Sequence, residues 1–223
     1  DVYPYQEFID LMKTSDLPAT GPVADFALLG FINGKYIADM TPDARYDAIC
    51  QYFDKLIARG EGLVLEIYNG EQRDTIEYSP ETITAFARAF RADPDFSKRV
   101  FALEPERIRR LGDVIDHYGF LFTPLYTPPA SDAILKSAGS ADKARAILTD
   151  YLGTGGNGGE THEAWDLRLR ALAEKLGDKP KVVFMTIRLA ITGKEKSPPV
   201  YDIAQILGPA EVKRRVEMVL ATM

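Results

Sequence analysis

The 223-residue chain carries 27 Lys and Arg against 33 Asp and Glu, a net charge of -6. That balance sets it apart from non-specific nucleic-acid binders, whose affinity rests on neutralising many phosphates. Hydrophobic residues make up 46% of the chain, enough for one or two domains with cores of ordinary size. No apolar run approaches the ~20 residues of a membrane span, and the N-terminus lacks the charged-then-apolar layout of a signal peptide. Cys50 stands alone, so a disulfide framework or a thiolate zinc site within the chain is excluded. These traits fit a reduced, cytoplasmic protein with neither a membrane nor DNA as partner.

The predicted elements are mostly helices, an all-α class. Thr41-Pro42-Asp43 has the layout of an N-cap, a proline at the first helical position and an acid near the positive end of the helix dipole. Leu63 to Tyr78 is the exception, because Asn69-Gly70 between β-prone flanks signals a small hairpin insertion with no larger sheet. Ser79-Pro80-Glu81 repeats the helix-start pattern, and Glu104-Pro105-Glu106 is a weaker version of it. Tyr126-Thr-Pro-Pro-Ala130 interrupts the helices and favours an extended link. The glycine loop from Thr154 to Gly159 formally completes a G-x-G-x-x-G between Gly153 and Gly158. It follows a helical stretch rather than a strand, and so reads as a linker rather than a dinucleotide site.

Apolar residues recur at helical spacing in Trp165, Leu169, Leu172 and Leu176, and again in Val212, Val216, Val219 and Leu220. Both series read as core stripes, with Trp165 anchoring the last helical unit. Val182 to Ile191 fits a buried strand as well as a buried helix by periodicity, while Gly193 favours a helix with a left-handed cap. Arg188 is the lone charge in that run and must reach solvent or a partner, since an unpaired buried charge is too costly. Asp113 and Asp116, at i and i+3 with no metal partner nearby, read as surface charge. Cys50 reads as a small core residue.

Three phrases in order along the chain carry a resemblance. Phe31-Ile-Asn-Gly-Lys-Tyr-Ile37 looks like W-L-N-G-x-Y-I. Glu106-Arg-Ile-Arg-Arg-Leu111, running to Tyr118-Gly-Phe-Leu-Phe122, looks like R-x-x-T-L-x-E followed by an aromatic run. Arg188, Ala190, Thr192, Gly193, Pro198, Leu207 and Gly208 stand in register with P-L-R-x-A-L-T-G, a following proline and an apolar helix ending L-L-G. The chain therefore resembles the C-terminal, tRNA-binding region of bacterial glutamyl-tRNA synthetases. Phe31 in place of tryptophan, Leu28 where a lysine is common, and a longer stretch from Glu61 to Val100 depart from the pattern. That family is helical where Asn69-Gly70 signals a hairpin, so helix and hairpin both stand for residues 63 to 78.

The resemblance implies the end of a stem-contact domain over residues 1–40, then two helical anticodon-binding subdomains packed end to end over 41–130 and 131–223. The H-I-G-H-type and K-M-S-K-S-type elements of such enzymes are missing, since His117 and His162 are far apart in sequence. The chain is thus expected to be a C-terminal fragment with no cofactor of its own. ATP and magnesium would belong to the N-terminal catalytic domain, a further partner. A protein that reads a few splayed bases needs only local positive surface. The clusters available are Arg107, Arg109 and Arg110; Lys179 and Lys181; Lys194 and Lys196; and Lys213, Arg214 and Arg215.

Within that surface the resemblance assigns Arg107 to the third anticodon base, where a guanidinium fork suits the N3 and O2 acceptors of cytosine and opposes the N–H donors of guanine. Arg188 would contact the anticodon loop, with Ser197, Pro198 and Val200 at the first anticodon base and Met185 beside them. Lys35, Tyr36, Lys194, Lys196 and Lys213 would meet the stem or phosphates. The partner is then glutamate tRNA. A non-discriminating relative that also charges glutamine tRNA, and an all-helical protein-interaction module, are the alternative readings.

Overall fold

The computed structural model describes Asp10 and residues 26–69, 72–154 and 160–223. Most of the region before residue 26 and the run 155–159 of the glycine loop lie outside the described residues, as do Gly70 and Glu71 at the expected hairpin turn. The described architecture is all-α with one small hairpin. Helix α1 (Phe26–Asp39) is followed by α2 (Pro42–Arg59), strands β1 (Leu63–Asn69) and β2 (Gln72–Tyr78), α3 (Pro80–Ala92), α4 (Pro94–Phe101) and α5 (Asp113–Tyr118). Then come α6 (Ser131–Ala138), α7 (Ala141–Gly153), α8 (His162–Leu176), α9 (Pro180–Thr192) and α10 (Val200–Ala221).

Local chemistry sets the helix starts. Thr41 Oγ1 accepts from Ala44 N at 3.2 Å and Ser79 Oγ accepts from Thr82 N at 3.3 Å, so each cap satisfies one orphan donor of its first turn. Glu104-Pro105 yields only a 3-10 turn, Pro105–Arg107, with no side-chain cap. The strands pair antiparallel with Leu63 opposite Tyr78 and Val64 opposite Glu77. Leu63 and Leu65 turn inward and Val64 outward, the period-2 alternation of a half-covered ribbon. The hairpin signal of Asn69-Gly70 therefore prevails over the helix that the resemblance implies.

Helices α2 to α5 and the hairpin pack as one group around an aromatic centre. Phe122 meets Phe86 at 5.3 Å, Phe96 at 5.6 Å and Phe90 at 5.8 Å between ring centroids, so the end of the Tyr118-to-Phe122 run is the hub of this core. Arg45 is buried on the inward stripe with Ile49 and Phe53. It donates to Ile37 O (2.9 Å), Ala38 O (2.7 Å), Met40 O (3.0 Å) and Phe101 O (3.4 Å), which closes the C-terminal end of α1 against this group.

Helices α6 to α10 form the second group, with α9 against α6, α7, α8 and α10. Val182 to Ile191 is helical and lies within α9. Trp165, 2% exposed, sets its ring edge against Phe184 and Tyr201 as the stripe predicts. Gly208 (φ 75°, ψ 164°) and Pro209 break α10 into two runs. The buried apolar residues of both groups form a continuous core.

Candidate nucleic-acid interface

The three phrases converge. Asn33 Nδ2 donates to Arg109 O, and a Cβ on Gly34 would come within 3.2 Å of Ile108 O, so the Asn-Gly of the first phrase is fitted to the backbone of the second. Residues 104–118 then face the third phrase across the seam between the two helix groups. Arg107 Nε lies 2.9 Å from Glu104 Oε2, an ion pair too poorly aligned to be a hydrogen bond, which leaves that buried oxygen without a hydrogen-bond partner among the described residues. Glu104 also acts electrostatically on Arg188 of α9. Burial lowers the Arg188 guanidinium and Glu104 opposes that shift. Glu104 is thus paired with Arg107 and within electrostatic reach of Arg188, the two arginines assigned to the anticodon.

On the α9 side, the residues of the third phrase build the loop. Arg188 Nη1 donates to Ser197 O at 3.0 Å. The buried Thr192 hydroxyl lies 2.7 Å from Arg188 O and 3.0 Å from Lys194 O, donating to one at a time, and accepts from Lys194 N at 3.1 Å. Gly193 ends α9 at φ 71°, and a methyl there would come closer to Thr127 O than the 3.0 Å that real Cβ atoms keep. The end of α9 and the link after Phe122 are therefore pressed backbone to backbone.

Lys194 is held across the seam. Its Nζ donates to Asp116 Oδ1 at 3.0 Å and to Asp116 O, and lies 5.8 Å from the Phe120 ring centroid. Asp116 also accepts from Tyr78 OH at 3.2 Å, and Asp113 takes bonds from Arg109 N, Arg110 N and Arg110 Nε. Their reading as surface charge is corrected: Asp113 is buried and ties the backbone and side chain of Arg110 to α5, and Asp116 joins the seam through Lys194. His117 sits among these charges. Burial lowers its imidazole, Asp116 and Asp113 oppose that, and Lys194 and Arg107 add to it, so the ring is neutral at pH 7.

The remaining assigned residues are spread more widely. Arg107, 53% exposed, presents a guanidinium whose Nη donors meet no acceptor among the described residues. Ser197 and Met185 are half-buried, and Lys196 is exposed. Pro198 and Val200 are buried, Val200 at 5% exposure in the first turn of α10, so they offer little side-chain surface. Lys35 and Tyr36 are exposed on α1, with Lys35 Nζ 5.5 Å from the Phe31 ring centroid. Lys213 pairs loosely with Glu217 at 3.6 Å on the outer face of α10. Arg215, counted with the cationic surface from sequence, is instead 0% exposed. Positions 212, 215, 216 and 219 share one helical stripe, the signal that places it inside.

A family model described as "Anticodon binding domain" matches residues 77–220. The chain belongs to this family. The glutamate–tRNA ligase of Gloeobacter violaceus is 38% identical over 221 residues, covering 99% of this chain and 42% of that protein. The glutamate–tRNA ligase of Cutibacterium acnes is 26% identical over 216 residues, covering 96% of this chain and 38% of that protein. The chain thus spans about two-fifths of the curated relatives it matches. A solved glutamate–tRNA synthetase of Elizabethkingia anophelis superposes with a TM-score of 0.59 at 17% identity, over 97% of this chain and 36% of that one, a likeness of fold. The anticodon-binding domain thus includes the whole seam, from Glu104 to Lys194.

Proposed function

We propose that this anticodon-binding domain docks glutamate tRNA for a glutamate–tRNA ligase, whose catalytic domain joins glutamate to the acceptor end with ATP and magnesium. Residues 1–40 would close the stem-contact domain, and 41–130 and 131–223 would be the two helical subdomains that share the anticodon. The observation that carries the reading is the convergence of three distant phrases on residues 104–118, the first through Asn33 on Arg109 O and the third through Lys194 on Asp116.

Glu104 takes the Nε side of Arg107 and leaves the Nη donors to form the fork that a cytosine edge requires. Arg188 fixes the loop at Ser197, so the loop beside the first anticodon base is presented in one shape. Lys35 and Tyr36 on α1 would meet the stem, Lys196 the backbone near the loop, and Lys213 more distant phosphates. Lys194 would reach RNA only by leaving Asp116. Among the described residues no three His, Cys, Asp or Glu side chains converge on a metal position, and no step through magnesium or ATP is assigned to them. Cytoplasmic residence accompanies this function.

The test is titration of the full chain with a labelled anticodon stem-loop of glutamate tRNA, an acceptor minihelix and a scrambled RNA of equal length. The stem-loop is expected to bind well ahead of both others. Equal binding of the scrambled RNA would overturn the reading in favour of a protein-interaction module.

A further inference from the structure

The seam between the two helix groups is incompletely filled by apolar packing. A groove of about 400 Å³ opens there, lined by Phe96, Leu121, Phe122, Pro124, Leu207 and Glu211 among others. Apolar contacts are non-directional, so a seam made of them alone resists separation better than it resists rotation. One group beside the groove is strongly directional. The guanidinium of Arg215 on α10 donates through Nη1 to Ile191 O of α9 (2.8 Å), through Nη2 to Leu121 O of the first group (3.3 Å) and through Nε to Glu211 Oε1 (2.8 Å). Its plane carbon lies 4.2 Å from the ring centroid of Tyr126 in the link, and Tyr126 OH donates to Ala190 O at 2.6 Å.

We propose that Arg215 is the positioning residue that fixes the angle between the two helix groups, so that Arg107 and Arg188 meet one anticodon loop as a single surface. A planar fork bonded to three acceptors on different elements sets orientation as well as distance, and a lysine, a rotatable point charge, does not reproduce it. Burial matters here. The Lys194–Asp116 pair crosses the same seam but is partly exposed and weakened by salt, whereas Arg215 has no exposed surface. Apolar residues in place of a buried ion pair often hold a fold as well, so stability alone does not account for a charge at this point.

The second half of the proposal rests on the anticodon reading above, and its test separates the two. In the full chain with Cys50→Ala, spin labels at Ala58→Cys on α2 and Ala171→Cys on α8 report the distance between the groups. The parent is expected to give a narrow distribution, and Arg215→Met a broadened or shifted one. Arg215→Lys should fail to restore the width. If Arg215→Met does not fold, Tyr126→Leu removes the ring face and the Ala190 bond and is expected to broaden the distribution as well. Affinity for tRNA with C against G at the third anticodon position is then measured in each variant. The preference is expected to fall at least about threefold in Arg215→Met although Arg107 and Arg188 are untouched, as preorganisation requires. An unchanged distance distribution in a folded variant overturns the clasp. A broadened or shifted distribution with an intact preference overturns its role in recognition. No preference in the parent chain overturns the third-base assignment of Arg107 in favour of the non-discriminating alternative, and leaves the distance measurement to decide the clasp.

Discussion

Gly193→Ala isolates the contact that joins the two helix groups through backbone alone. The left-handed conformation at φ 71° disfavours an L side chain by about 1–2 kcal/mol. Gly177 caps α8 at φ 65° with nothing within 4 Å of an added Cβ, so Gly177→Ala has that cost and no other. At Gly193 the methyl also meets Thr127 O, a backbone atom that cannot rotate away, and overlap of this kind in a packed region adds roughly 1–3 kcal/mol. Gly193→Ala is therefore expected to destabilise the chain by about 2–5 kcal/mol and Gly177→Ala by about 1–2 kcal/mol. Urea unfolding followed by circular dichroism gives both, as shifts in midpoint at constant slope. If the two substitutions agree within about 0.5 kcal/mol, the close approach of the end of α9 to the link is not what holds the seam.

Acid should weaken the same seam. Burial pushes the Glu211 carboxyl up, but hydrogen bonds from Arg214 and Arg215 outweigh it and hold the group at about 2. A depressed folded value contributes stability above the unfolded value of 4.5 and loses it as pH falls towards 2. Glu211→Gln should therefore flatten stability against pH between about 4.5 and 2, a contribution of roughly 1–2 kcal/mol after solvent screening, read from urea midpoints at each pH. Arg45→Met should release the end of α1, because four carbonyl oxygens lose their donor at once. A loss of about 2–4 kcal/mol is expected, with faster amide exchange over residues 34–39 than over α3. Unchanged exchange in α1 would contradict the role given to Arg45.

The helix starts at Thr41 and Ser79, the Trp165 stripe and the hairpin were legible because caps, periods and turn residues are local. Glu104-Pro105 shows where that stops, since without a side-chain cap the pattern gives one turn of 3-10 helix. The resemblance located the phrases that meet at the seam, but not what lies between them. Glu104, Asp116 and His117 organise the site through partners more than 70 residues away, such as Lys194 on Asp116. No spacing encodes such a pairing. The run Lys213-Arg214-Arg215 looks like one patch of surface charge, although the place of Arg215 on the Val212, Val216 and Val219 stripe marks it as inward-facing. Adjacent residues on a helix point about 100° apart, and a cluster of cations in sequence need not be one in space.

The most direct measurement of the central claim is the ratio of affinities for glutamate tRNA and a variant with G at the third anticodon position, taken by filter binding at one fixed salt concentration. The account predicts that the parent chain prefers C by roughly 5- to 150-fold, the range of one bidentate arginine–base contact. Arg107→Gln should narrow that ratio, because an amide both donates and accepts, while Lys213→Ala weakens both RNAs alike. A parent chain indifferent to the third base, or an Arg107→Gln variant with the ratio unchanged, would contradict it.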